Sequence, residues 1–294
     1  MFIKSLKVQI RIMCRSKGYR AAFLAVLCYA CVSFLWVLSR YWGMDISRIK
    51  DANHLVGYSQ MNQMWNFFAI LYPFLVVLPY STSYIEEYRN GLVPVYIIRS
   101  SRRTYYLTKL GAAFVGGASV IFLPFAMNLL LCNLFLPHNG NTWLGQYQMG
   151  NFYRWLTGTN LLYPVEYSKV PFLGVYLYSP FWYNVMYLLF FAAFTGLLGM
   201  VVLSLSFWWR KRRILLFLPL FVIQQLLQAW DAWALADAIQ NGSVYTHLNL
   251  LDYVVPSFES GQNPVLFLAM VVVCLLVIGL SAAYAIQGDL RDVQ

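Results

Sequence analysis

Residues 180–213 read PFWYNVMYLLFFAAFTGLLGMVVLSLSFWWRKRR. Thirty residues, 180–209, pass without a charge, and then Arg210, Lys211, Arg212 and Arg213 follow in a row. A helix rises about 1.5 Å per residue, so about 20 apolar residues cross a hydrocarbon layer of roughly 30 Å. The apolar run at 180–208 is long enough for one crossing, and the basic cluster stops it. A second run, 214–230, starts immediately afterwards. Two membrane helices therefore have to turn at the cluster, and the fold class follows: an all-α membrane protein.

The same pattern recurs at 21–39, 64–83, 110–136 and 264–286, which makes six apolar runs in all. All 21 Lys and Arg and all 11 Asp and Glu fall between or outside them. An ionisable group at the bilayer centre is costly and marks ion paths, proton relays or catalysis. The charge-free runs, together with the lack of a visible inverted repeat, argue against an ion-coupled transporter. Composition agrees: 60% of residues are hydrophobic and 11% charged, against about 25% charged in a soluble domain.

The net charge of +10 invites a nucleic-acid reading, but its distribution points to lipid. With both termini cytoplasmic, the inner segments hold 16 of the 21 basic residues, among them Lys4, Lys7, Arg11, Arg89, Arg102, Arg103, Lys109 and Arg210. The outer segments keep five: Arg40, Arg48, Lys50, Arg154 and Lys169. The outer segment 231–263 has no Lys or Arg and carries Asp231, Asp237, Asp252 and Glu259. This bias follows the positive-inside rule and orients a multi-pass protein of the cytoplasmic membrane. Residues 1–39 also begin like a signal peptide, but the 19-residue apolar run exceeds a signal core of about 7–15 residues. It reads as a retained first span, and 1–294 as one transmembrane domain.

Ahead of that span, Lys4, Lys7, Arg11 and Arg15 share one side of a helical wheel, while Phe2, Ile3, Leu6, Ile10 and Met13 gather on the other. A basic amphipathic helix lies in the interface plane with its cations toward headgroups, and 1–20 would form an elbow into the first span. A soluble helix packed on a partner is the other reading. The outer segment 137–179 is rich in Tyr and Trp, including Trp143, Tyr147, Trp155 and Tyr178. Such residues favour the membrane–water boundary; a substrate-binding lid is the alternative.

Few polar residues fall inside the spans. Gln224 and Gln228 share one face of the fifth, with Gln225 adjacent, and Asn128, Asn184 and Thr195 are others. Amides in lipid seek partners across helix interfaces, so these positions are either glue within the bundle or the lining of a substrate path or subunit interface. Cys28 and Cys31 form a C-x-x-C on an apolar helix without a second pair, which reads as buried thiols rather than metal ligands. His54, His138 and His247 all sit in outer segments, and neither H-E-x-x-H nor G-x-x-x-x-G-K-[ST] occurs. No metal site and no catalytic residue is expected, and any ATP would be held by a separate chain.

The inner segment after the second run reads SYIEEYRNGLVPVYIIRSSRRTYYLTK, residues 83–109. Asn90-Gly91 can break a short helix there. The bilayer gives no reason for paired Glu86 and Glu87, so they face a protein or pair with nearby cations. In this segment the chain resembles the membrane subunits of type-2 ATP-binding-cassette exporters, whose corresponding loop carries an acidic pair, a basic residue, Gly, an apolar stretch, Ser-Arg and a Lys entering the third span. Glu86, Glu87, Arg89, Gly91, Ser101, Arg102 and Lys109 match that pattern. The likeness spans the six-run topology and the elbow, but only about 25 residues at motif level. It implies that the segment is the coupling loop for two ATPase subunits, which bind ATP and magnesium. It further implies pairing with a second permease half, identical or sister. The neutral, aromatic interior favours a hydrophobic or amphipathic cargo: a peptide, a lipid-like compound or a drug. A non-transporting membrane scaffold or immunity protein acting through partner binding is the alternative.

Overall fold

The computed structural model describes residues 2–44, 49, 51–59, 62, 64–137, 175, 178–208, 214–241, 248–256 and 263–288. Among the described residues all regular structure is helical. Ten α-helices follow in chain order: α1 (Phe2–Arg15), α2 (Lys17–Tyr41), α3 (Trp65–Val77), α4 (Ser83–Arg89), α5 (Leu92–Arg99), α6 (Arg102–Phe135), α7 (Pro180–Ser206), α8 (Ile214–Asn241), α9 (Leu250–Val254) and α10 (Pro264–Gly288). A 3-10 turn covers Ala52–His54. Among the described residues, α2, α6, α7 and α10 are long and apolar enough to cross a membrane. They correspond to four of the six apolar runs. The other two, 64–83 and 214–230, lie in α3 with the turn after it and in the first part of α8. The basic cluster 210–213, most of the aromatic segment 137–179 and residues 289–294 lie outside the described residues.

Side-chain pairs fix the direction of each helix. Tyr19 bonds Ser119 at 3.1 Å, and Phe34 meets Phe135 at 5.8 Å, so α2 and α6 run side by side in the same sense. Ser16 reaches the Pro79 carbonyl at one end of α3, and Tyr29 packs on Phe68 at the other, so α3 runs back against α2. Gln224 lies beside Ala69 and Phe217 beside Phe74, which sets α8 against α3. Phe194–Phe267 and Trp208–Tyr284 set α10 parallel to α7. α7 runs opposite to α6, and glycines bring the two backbones together: a Cβ on Gly117 would stand 2.9 Å from the Thr195 carbonyl oxygen, and one on Gly196 2.7 Å from that of Phe114. Taken in chain order, α2, α3, α6, α7, α8 and α10 alternate in direction.

α3 is shorter than its apolar run. Its 13 residues span about 20 Å, less than a bilayer core. Two features explain the difference. At the C-terminal end of α3 Pro79 lacks the N–H needed to continue the helix. The Pro79 carbonyl instead accepts from the Ser16 hydroxyl, the N-cap of α2, at 3.3 Å. Gly18 permits that approach, since a Cβ there would stand 2.3 Å from the Leu78 oxygen. At its N-terminal end the described residues before α3 do not all lie in solvent. Residues 52–59 fold back among α2, α6 and α7, with Ala52, Val56 and Tyr58 fully buried. This segment, part of the stretch between the first two apolar runs, fills the height that α3 leaves empty.

Candidate functional site

The end of the bundle that holds α4, α5 and the start of α6 carries a buried ion pair. Ser101 caps α6, accepting from Thr104 N at 3.3 Å, and the helix therefore starts well before the apolar run at 110. This places Lys109 two turns inside a helix, at 0% exposure. α4 brings Glu87, 8% exposed, to within 2.6 Å of the Lys109 ammonium. The second Glu87 oxygen accepts from the Tyr105 hydroxyl at 2.5 Å. Tyr105 sits one helical turn before Lys109, on the same face. The rings of Tyr80 and Tyr105 flank the ammonium at 5.2 and 5.5 Å from their centroids. Tyr80 in turn donates to Gln9 on α1. One polar cluster thus joins α1, the turn after α3, α4 and α6. Tyr84, Tyr106 and Phe207 close it with edge-on ring contacts.

Around this cluster α4 and α5 form a hairpin. Gly91, at φ +65°, makes the left-handed turn between them, which a side chain would strain. The paired glutamates, expected to face a protein or to pair with nearby cations, divide: Glu87 points inward to Lys109, while Glu86 is exposed. Arg89 and Arg99 are exposed in the last turns of α4 and α5, and Arg102, the first residue of α6, is half-buried. Tyr88, Leu92, Val95 and Ile98 add an apolar exposed surface, with Ile98 at 85%. The hairpin therefore presents apolar and charged groups outward on a base locked by an ion pair.

Asn128 and Asn184 form a second, uncharged site at the opposite end of the bundle. Asn128 accepts from Gly57 N at 2.8 Å and donates to the Ala30 carbonyl at 2.8 Å. Asn184 donates to the Asn53 carbonyl at 2.8 Å and its own carbonyl accepts from the Tyr58 hydroxyl at 3.0 Å. Both amides thus hold the re-entrant segment. Gln224 is buried on α8 at 3.5 Å from the Ala69 carbonyl, the limit of a hydrogen bond, and Gln228 is half-buried on the same face.

Protein-family models, curated proteins and solved structures yield no match to this chain. The site has to be read from its own chemistry. No group of three or more His, Cys, Asp or Glu is placed to hold a metal among the described residues. Near the C-terminal end of α8 Asp231 accepts from the backbone N–H of Leu248 and of Asn249, both at 2.8 Å. The Tyr253 hydroxyl accepts from Asn263 N at 3.2 Å, and burial pushes that phenol's pKa upward. These bonds tie α9 to α8 and α10 and are structural.

Sequence reasoning missed Gln9, Tyr80 and Tyr105. Gln9 carried a signal: it interrupts the apolar side of α1, and a lone amide there calls for a buried partner. Tyr105 carried one too, at i, i+4 from Lys109. Tyr80 had none.

Proposed function

We propose that this chain is the membrane subunit of an ATP-driven exporter of the type-2 ATP-binding-cassette class. Its six spans are α2, α3 with the turn that follows it, α6, α7, α8 and α10, with α1 as the elbow and both termini on the cytoplasmic side of the cytoplasmic membrane. The alternating helix directions support this topology. The α4–α5 hairpin carries the reading: it projects at the inner end, exposes Glu86, Arg89 and Ile98, and rests on the buried Glu87–Lys109 pair. Two ATPase subunits, each binding ATP and magnesium, would dock on this surface, and a second permease half would complete the path. The cargo is a hydrophobic or amphipathic compound, since no charged group lies among the Asn128 and Asn184 contacts.

The test is co-purification. The chain is isolated with its native neighbours, and Glu86→Lys with Arg89→Glu is compared with the unaltered protein. A P-loop ATPase that accompanies the unaltered chain and is lost from the variant, at unchanged helical content, is the expected result. An ATPase retained by the variant, or none in either preparation, refutes the proposal and turns attention to a scaffold role.

A further inference from the structure

The re-entrant segment is held by its main chain. In a bilayer, irregular backbone survives only where protein or trapped water satisfies every N–H and C=O. Here three helices supply bonds to residues 53 and 57, and turns within the segment, with the Asp51 carboxylate on Asn53 N at 2.7 Å, supply others. Asn184 of α7 donates to the Asn53 carbonyl at 2.8 Å. Asn128 of α6 accepts from Gly57 N at 2.8 Å, and Tyr29 of α2 donates to the Gly57 carbonyl at 2.9 Å. Asn128 is itself fixed by its bond to Ala30, so its acceptor already points at the segment. The site lies deep: Asn128 is seven residues, or about 10 Å of helix, below the end of α6. No charged side chain takes part in the bonds that the three helices make. Groups arranged to bind backbone N–H and C=O recognise a peptide largely without regard to its side chains.

We propose that this is a peptide-binding site on the outer part of the transport path, occupied here by the chain's own residues 52–59, which a cargo peptide displaces. The inference rests on the exporter reading and narrows its cargo to a peptide segment without charged side chains. A charge placed beside the Asn128 and Asn184 amides would be desolvated among neutral hydrogen-bonding groups. A tethered occupant acts at an effective concentration of about millimolar, so a free peptide competes only once the tether is weakened.

Cys132 reports the state of the site. It is fully buried, with its sulfur 4.0 Å from the Leu55 carbonyl oxygen and 3.8 Å from Asn128 Oδ1. Gly57→Val loosens the occupant and leaves the binding groups intact, because a Cβ at Gly57 would stand 3.0 Å from Ser33 Oγ and 3.3 Å from Asn128 Oδ1. The purified full chain is treated with a small maleimide, and labelling of Cys132 is followed by mass spectrometry. We expect labelling to rise at least about tenfold in Gly57→Val. The end-blocked peptide ANHLVGYS, which copies residues 52–59, should restore protection, and the same peptide N-methylated at its glycine should not. Unchanged labelling in the variant at full helical content would show a static segment and overturn the proposal. Protection by both peptides or by neither would overturn recognition of the backbone. Should Gly57→Val lose helicity, Tyr58→Phe, which removes only the 3.0 Å bond to Asn184, takes its place under the same criteria. None of these readouts needs an ATPase, so they fail independently of the co-purification test.

Discussion

Lys109→Met should be among the most damaging single substitutions in the chain, and adding a second and third change should repair most of the damage. Lys109 is completely enclosed, and its anionic partner Glu87, 8% exposed, stands 2.6 Å away. Removing the ammonium leaves a carboxylate buried without its cation, which costs about 3–5 kcal/mol. Glu87→Met strands the ammonium instead and should cost a similar amount. Replacing both removes the stranded charge, since buried pairs exchanged for apolar residues of like volume are often neutral. The double variant still leaves the Tyr105 hydroxyl, which donates to Glu87 at 2.5 Å, without an acceptor, at about 1–3 kcal/mol. Tyr105→Phe removes that remainder. Tyr80 keeps its bond to Gln9 throughout.

The expected order of stability is therefore single variants lowest, Lys109→Met/Glu87→Met intermediate, and the triple variant with Tyr105→Phe close to the unaltered chain. Reversible unfolding in mixed detergent micelles measures it, with helical content as the signal and the double-mutant cycle giving the coupling. Coupling below about 1 kcal/mol, or a triple variant no better than Lys109→Met, would refute the assignment of Lys109 and Glu87 as a buried, mutually dependent pair.

Three further outcomes follow from close approaches and caps. Gly117→Ala should destabilise by about 1–3 kcal/mol, because its Cβ would meet the Thr195 carbonyl at 2.9 Å, whereas Gly279→Ala, with nothing within 4 Å, should be neutral or gain about 0.5–1 kcal/mol as a helical Gly→Ala change; parallel melts in detergent compare them. Gly18→Ala should lower the melting temperature more than Gly279→Ala, since its Cβ would fall 2.3 Å from the Leu78 oxygen and force α2 off the end of α3. Asp231→Asn leaves one acceptor oxygen where two serve Leu248 N and Asn249 N; a loss of about 1.5–3 kcal/mol is expected for a bond to a charged group, and faster hydrogen exchange at those two amides would locate it.

Much of the helical frame was legible because membrane helices announce themselves by length and by the absence of charge. The runs at 21–39, 110–136, 180–208 and 264–286 needed no tertiary information. Helix starts were less legible. Hydropathy marks where lipid begins, and Ser101 marks where α6 begins, nine residues earlier; Lys109 falls between the two and so reads from sequence as the end of the coupling loop. The acidic pair was visible, but its division was not. Adjacent residues on a helix point about 100° apart, so Glu86 and Glu87 had to face different surroundings, and only the position of α6 decides which of them is buried. The re-entrant segment was the least legible. Leu55, Val56 and Tyr58 lie among polar neighbours and satisfy no periodic pattern, because the residues that make room for them, Asn128 and Asn184, stand 71 and 131 positions from their partners Gly57 and Asn53.

The two ends of the bundle differ in how easily they can be rearranged, and that difference bears on how the exporter reading would operate. At the inner end α4 is fastened to α6 by an ion pair and to α1 through Tyr80 and Gln9. Separating Glu87 from Lys109 strands two charges at several kcal/mol, so a push on the exposed face of the hairpin has to move α1, α4 and α6 together. At the other end the bonds that α2, α6 and α7 make to residues 53 and 57 are neutral amide and hydroxyl bonds, each worth about 1 kcal/mol net when another partner takes over. A peptide backbone is such a partner: it offers the N–H and C=O groups that residues 53 and 57 now supply. Force entering at the inner end should therefore be released where bonds can be exchanged one for one, at the seat of the re-entrant segment, and a conformational change there needs cargo and segment to differ only modestly in affinity.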